Sequence, residues 1–190
     1  MTAAANPVLR KALFLDRDGV INLDHGYVYR PEQIEFCAGI FELVRHARGL
    51  GYAVVVVTNQ SGIARGLYTE DDFARLSAWM LDCFVQQGAP LDRIYHCPDH
   101  PTEGLGAHRR ESPLRKPNPG MLLLAAQELG LDLADSVMVG DKATDIEAGI
   151  RAGVGRTVLV DFAAPPGSVT QMPRADLVVH ALADIHPCLG

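Results

Sequence analysis

The sequence predicts an α/β protein: a Rossmann-like open, mostly parallel sheet with helices on both faces and no large cap domain. Three observations lead there. Short apolar, often β-branched runs alternate with stretches of helical periodicity; the runs carry few polar residues, as strands buried on both faces do; and acidic, hydroxyl or amide residues follow several of them directly. Lys11-Ala-Leu-Phe-Leu15 and Tyr52-Ala-Val-Val-Val-Val57 read as the first two strands. Between them Ile40, Leu43, Val44, Ala47 and Leu50 recur at helical spacing, with Gly49 and Gly51 as a stop. Thr69 with Asp72 three residues on predicts a capped second helix, whose stripe is Phe73, Leu76, Met80 and Phe84 and whose end is near Gly88. Trp79 belongs to the same packing. Residues 93–96 form a third strand; Asn118-Pro119 starts a helix that ends at Gly130. Residues 136–139 form a fourth strand, 143–152 a helix, and 157–160 and 176–179 two last strands. Two Pro-rich connections break the rhythm, a long loop at 96–117 and a plain surface loop at 162–174.

A chain of 190 residues suits one domain over 1–190 with a single sizeable core. No apolar run approaches the ~18 residues of a membrane span, so no membrane partner is expected. The first seven residues read as a frayed tail without the parts of a secretory signal, and Cys37, Cys83, Cys97 and Cys188 are too scattered for a disulfide framework. Both features point to the cytoplasm, and an open site of this size to a monomer. A net charge of −6 speaks against nucleic acid as a partner, because that binding needs many cations on phosphates. A small anion held by local cations remains compatible with it.

In such a sheet, ligands bind beyond the carboxyl ends of the strands. Asp16 and Asp18 follow the first strand, Thr58 and Asn59 the second, His96 and Cys97 the third, and Asp141 and Asp145 the fourth. Carboxylates crowded at one edge repel unless a cation compensates them, and a few oxygen ligands with room for water and phosphate suit Mg²⁺.

Taken together, Asp16-Arg-Asp18-Gly19-Val-Ile-Asn22, Thr58-Asn59-Gln60-Ser61-Gly62, Lys116-Pro117 and Gly140-Asp141-Lys142 to Asp145 resemble the four motifs of the haloacid dehalogenase superfamily, in order. Asp24-His25-Gly26-Tyr27, the run from Val57 to Gly66, Arg115-Lys-Pro-Asn-Pro-Gly-Met121 and Met138-Val-Gly-Asp-Lys142 bring the chain nearer the bacterial heptose-bisphosphate phosphatases, over roughly residues 11–160. The resemblance implies that Asp16 is a nucleophile forming an aspartyl-phosphate and that Asp18 is its general acid and base. It implies further that Thr58 and Lys116 hold the phosphoryl oxygens, and that Asp16, the Asp18 carbonyl and Asp141 hold Mg²⁺. The substrate would be a small sugar phosphate, contacted by Asp24, His25, Gly26, Tyr27, Thr58, Asn59, Gln60, Ser61, Arg115, Lys116 and Lys142. Arg17 is expected to point away from the site if the segment stays extended. Asp145 reads equally as a helix-dipole partner or as a group orienting a lysine or a metal-bound water. His25 reads equally as a buried, bonded histidine or a substrate contact.

The implied reaction removes the 7-phosphate of a heptose 1,7-bisphosphate, toward nucleotide-activated heptose for lipopolysaccharide or capsule. Histidinol-phosphate phosphatase is the nearest alternative; a polynucleotide 3′-phosphatase and a catalytically silent protein of the same fold are more distant ones. One departure stands out. The resemblance implies a structural zinc, which close relatives usually bind through a Cys-x-His and a Cys-x-Cys pair, where this chain reads Cys97-Pro98-Asp99-His100 and Ser112-Pro113-Leu114. Three of the four ligands are missing, so zinc is expected to be absent, and the loop to be held by its prolines and packing and more mobile than in zinc-bearing relatives.

Overall fold

The computed structural model describes residues 9–163 and 174–190. The expected N-terminal tail and most of the connection at 162–174 lie outside them. Six strands, β1 (Arg10–Leu15), β2 (Ala53–Asn59), β3 (Arg93–Cys97), β4 (Leu131–Gly140), β5 (Arg156–Val160) and β6 (Leu177–Val179), form one sheet in the order β3-β2-β1-β4-β5-β6. Every adjacent pair is parallel, so the sheet is wholly parallel. Strand alternation sends Leu13 and Leu15 of β1 and Val54 and Val56 of β2 into one core, with α1 (Ile40–Gly49), α3 (Glu70–Gln86) and a C-terminal 3₁₀ segment (Leu182–Leu189). Ala12, Phe14, Val55 and Val57 face the other core, under α4 (Gly120–Leu129) and α5 (Ala143–Ala152). Burial on both faces explains why these strands read as unbroken apolar runs.

The Thr69–Asp72 capping box is present at the start of α3, and Trp79 stacks on Phe36 at the rim of the first core. Three elements differ from the expectation. β4 starts five residues early, because Arg10 and Lys11 pair with Leu131 and Asp132 before a register shift lets Leu13 meet Val137. A one-turn helix, α2 (Ser61–Ala64), follows β2 directly. The C-terminal segment packs on α1, although Pro187 inside it argues against a helix at the sequence level. Among the described residues no helix is long and apolar enough to cross a membrane.

The long loop after β3 is tied down by more than prolines and packing. Buried Asp99 accepts from His108 Nδ1 at 3.0 Å and from Arg110 Nε at 2.9 Å; Glu103 pairs with Arg65, and the Leu105 amide donates to the Ala64 carbonyl at 2.7 Å. The sequence reading missed these ties because they join residues 99, 108 and 110 with no periodic spacing.

Candidate active site

β1 runs between β2 and β4, and its ladder continues one residue past the strand, where the Asp16 amide donates to the Val139 carbonyl at 2.9 Å. This sets Asp16 on the floor of the crevice, 5% exposed. The chain then turns: amides of Val20, Ile21 and Asn22 all donate to the Arg17 carbonyl. Gly19 makes that turn at φ +92°, against Asp141, where a β-carbon would stand 2.2 Å from Asp141 Oδ2. Only glycine meets both demands.

The turn reverses the expectation for Arg17. Its side chain is fully buried and folds back onto Asp18, with Nε to Oδ1 at 3.1 Å and Nη2 to Oδ1 and Oδ2 at 2.8 and 2.7 Å. Asn22 Nδ2 and Gln60 Nε2 also donate to the Asp18 carboxylate, at 3.1 and 3.2 Å. Gln60 is itself fixed, donating to Thr58 Oγ1 at 2.8 Å and accepting from the Tyr68 hydroxyl at 2.6 Å. Burial pushes the Tyr68 phenol up to about 12, so it stays a donor at neutral pH. A β-carbon at Gly62 would lie 2.0 Å from the Tyr68 ring, so this glycine lets the ring reach Gln60.

Lys116 crosses beneath the site. Its Nζ lies 2.8 Å from Asp16 Oδ1, 2.7 Å from Asp145 Oδ1 and 2.7 Å from the Val57 carbonyl, so its three protons are engaged. Asn59 holds its backbone from both sides, donating to the Lys116 carbonyl and accepting from its amide, each at 3.0 Å. Burial alone would lower the Lys116 pKa, but Asp145 and Asp16 outweigh it and raise it, so the ammonium stays charged. Asp145 fills both roles that its position left open. Oδ1 orients Lys116, and Oδ2 accepts from the Lys142 amide at 3.0 Å, capping α5.

The carboxylates are short of positive charge. Asp16, Asp141 and Asp145 each place one oxygen within 4.8 Å of the others. Burial raises the Asp16 pKa, helped by Asp145 and opposed by Lys116; burial with the charge of Asp16 pushes Asp141 up to about 7. Asp141 Oδ1 is buried without a hydrogen-bond partner. Asp16 Oδ1 takes both Lys116 and the Arg17 amide at 2.8 Å, and among the described residues no hydrogen bond reaches Oδ2. The unpartnered Asp141 oxygen, beside the Asp16 carboxylate in a buried, oxygen-lined spot, fits a small divalent cation such as Mg²⁺. Asp145, with both oxygens engaged, is the poorest ligand of the three.

Above this floor opens a cavity of about 330 Å³ lined by Asp16, Asp18, Asp24, Gly26, Tyr27, Thr58, Asn59, Gln60, Ser61, Lys116 and Lys142, all of them marked by the sequence. Gly62, Tyr68, Thr144 and Asp145 complete the lining. Lys142 Nζ bonds Asp24 Oδ2 at 3.1 Å and lies 3.6 Å from Asp141, which raises its pKa against the effect of burial. Tyr27 adopts φ +51° at the rim, 43% exposed, with the Arg65 guanidinium over its ring at 5.7 Å. Two expected contacts stay outside the lining. His25 is exposed and pairs with Glu35 at 3.3 Å, and Arg115 donates from Nη1 to the Asp99 carbonyl at 3.0 Å. Tyr68 had no motif to announce it, since it reaches the site through a helix turn that the sequence did not reveal.

A family profile described as HAD-hydrolase-like matches residues 113–185. A D-glycero-alpha-D-manno-heptose-1,7-bisphosphate 7-phosphatase of Burkholderia mallei is 57% identical over 150 residues, 79% of each chain. A D-glycero-beta-D-manno-heptose-1,7-bisphosphate 7-phosphatase of Vibrio cholerae is 49% identical over 178 residues, 93% of this chain and 94% of its own. Among solved structures, the D,D-heptose 1,7-bisphosphate phosphatase of B. bronchiseptica, complexed with magnesium and phosphate, superposes with a TM-score of 0.76 at 31% identity, covering 94% of this chain and 97% of its own. With the four motifs gathered at one sheet edge and relatives this similar over nearly the whole length, the chain belongs to the heptose-bisphosphate phosphatases of the haloacid dehalogenase superfamily.

Proposed function

We propose that this single-domain chain is a Mg²⁺-dependent phosphatase that removes the 7-phosphate from D-glycero-D-manno-heptose 1,7-bisphosphate through an aspartyl-phosphate. The observation that carries the reading is the posture of Asp16, which lines the cavity: one oxygen is held by Lys116 and the Arg17 amide, while among the described residues no hydrogen bond reaches the other. That oxygen attacks phosphorus, the phosphorus–oxygen bond to the sugar breaks, and Asp18 gives its proton to the departing alkoxide. Asp18 then takes a proton from the attacking water, and the acyl phosphate opens to inorganic phosphate and free Asp16. Thr58 donates its hydroxyl to a phosphoryl oxygen during both transfers, and Lys116, held by Asp16, Asp145 and the Val57 carbonyl, adds positive charge beneath the phosphoryl group. Asp16, Asp141 and the Asp18 carbonyl would hold Mg²⁺, which would supply the charge neutralisation that lets two anions meet. Arg17, Asn22 and Gln60 aim the Asp18 carboxylate.

Asp24, Gly26, Tyr27, Asn59, Ser61 and Lys142 would face the sugar, with Arg115 reaching the phosphate that is not transferred; a guanidinium fork suits that task. The relatives' names favour the heptose over histidinol phosphate. The net charge of −6 disfavours a polynucleotide, and the intact set of Asp16, Asp18, Lys116 and Asp141 disfavours a silent protein. A monomeric cytoplasmic enzyme is the form we assign. The test is a panel of both heptose bisphosphate anomers and histidinol phosphate with Mg²⁺ present, both anomers because the relatives' names divide between them. We expect one of the anomers to lead histidinol phosphate by about 100-fold or more in kcat/KM, as a site built for polar groups discriminates. A lead for histidinol phosphate would sink the sugar assignment.

A further inference from the structure

The loop over 97–115 connects β3 to the residue pair Arg115-Lys116, yet it is closed in a way its family does not lead one to expect. The resemblance implies a zinc site here, and the donors present do not fit that metal. Leu114 offers none. Cys97, buried in the core with Met121 and Leu122, is the one donor retained of the four, and a structural zinc site needs a closed set of four. The nearby histidines are engaged as well. His96 pairs with Glu70 at 2.7 Å and His108 with Asp99, while His100 Nδ1 accepts from the Glu103 amide at 3.0 Å, which occupies its lone pair.

What stands in the centre of the loop instead is a carboxylate. The Asp99 side chain is 2% exposed, and each of its oxygens has a cationic or protic partner: Oδ1 on His108 and Oδ2 on Arg110. An isolated buried carboxylate is costly, so this one persists through those two partners, which reach it from nine and eleven residues away and draw the far arm of the loop inward. The His100 amide also donates to the His108 carbonyl at 3.0 Å, and Gly104 lies so close to that carbonyl that a β-carbon would stand 2.4 Å from it. The other end of Asp99 does something different. Its backbone carbonyl accepts from Arg115 Nη1, so one residue joins the fold of the loop to the placement of the guanidinium.

We infer that the Asp99–His108–Arg110 cluster closes this loop without a metal, and that Asp99 is a positioning residue which sets Arg115 for the phosphate that is not transferred. The second half rests on the proposed function; the first does not. The experiment compares wild type with Asp99→Asn and Arg110→Ala, using the heptose bisphosphate and p-nitrophenyl phosphate, which lacks a second phosphate. Zinc content and hydrogen exchange over 97–115 are measured on the same preparations. Arg110 is 65% exposed at its side chain, so its variant keeps the test open if Asp99→Asn does not fold.

We expect no stoichiometric zinc in protein grown with added zinc, and faster exchange over 97–115 in both variants. KM for the bisphosphate should rise about tenfold in Asp99→Asn with kcat nearly unchanged, the pattern of lost uniform binding, while KM for p-nitrophenyl phosphate holds. One zinc per chain, or unchanged exchange in both variants, overturns the metal-free closure. Equal effects on both substrates, or none on either, overturn the positioning role. Failure of the function itself reads differently, as a wild type with no preference for the bisphosphate, and leaves the zinc and exchange results to decide the clamp.

Discussion

The floor and the rim of the cavity are built on opposite principles. On the floor, Asp16, Thr58, Lys116 and Asp145 are each 5% exposed or less, and each charge is held by another buried group on a strand end, in a loop or in the first turn of α5. At the rim, Lys142 is 53% exposed at its side chain and pairs with Asp24 at 37%, and Tyr27 sits in a positive-φ turn under Arg65. Removing one partner of a buried pair costs about 3–5 kcal/mol because it strands the other, whereas an exposed pair is worth about 0–1 kcal/mol. The floor therefore fixes one chemistry and resists change. The rim can be retuned for a different alcohol at little cost to the fold.

The comparison breaks first at Asp16. Asp16→Asn should lower kcat by at least about 10⁴-fold, as losses of nucleophiles do, while the fold survives because the change relieves repulsion among Asp16, Asp141 and Asp145. Steady-state assay with thermal melting checks both halves, and measurable turnover near wild type would remove Asp16 from its role. Lys116→Met comes next. It strands Asp145, which is 1% exposed, and should cost about 3–5 kcal/mol in denaturant unfolding besides abolishing most activity. A stability loss below about 1 kcal/mol would mean that the floor is no more brittle than the rim.

The sequence revealed residues at strand ends more fully than the directions taken by side chains in turns and loops. Asp16, Thr58 and Asp141 follow apolar runs that the parallel register aligns, with Leu15 opposite both Val56 and Val139, so strand ends alone bring them together. The direction expected of Arg17 held only for an extended chain, and the turn through Gly19, two residues on, ends that extension. Arg115 neighbours Lys116 in sequence, yet Lys116 enters the floor while Arg115 bonds Asp99 in the loop; adjacent residues in an irregular segment carry no periodicity from which to read direction. The C-terminal 3₁₀ segment went unread: Leu182, Ile185 and Leu189 are all buried, but Pro187 interrupts their spacing.

A smaller effect is expected from pH. Without a cation, the folded protein holds Asp141 near 7 against an ordinary value of 3.8, so it keeps a proton that the unfolded chain releases between those limits. The sign follows: this group's contribution to stability is complete below 3.8 and is lost as pH rises through about 7. Mg²⁺ needs the ionised form. Its apparent affinity should fall by up to about tenfold per pH unit below 7 and level off above about 8. The rise in Tm at a fixed Mg²⁺ concentration should accordingly grow between about pH 5.5 and 8. A Tm gain independent of pH across that window would contradict the Asp141 assignment.

The smallest effect tests the rim. The Gly26 amide and Lys142 hold the Asp24 pKa below its ordinary value against the opposing effect of burial, so the carboxylate is charged at neutral pH. Asp24→Asn keeps the shape and removes the charge that fixes Lys142. Stability should change by less than about 1 kcal/mol, since the pair is solvated. KM for the sugar phosphate should rise by about two- to fivefold with kcat preserved, because Lys142 gains freedom while Asp16 and Lys116 keep theirs fixed. Salt should narrow the difference between variant and wild type, as it screens Lys142 in both. A loss confined to kcat would instead tie Asp24 to the floor through Lys142 and Asp141, and the division between the two regions would then have to be drawn outside this pair.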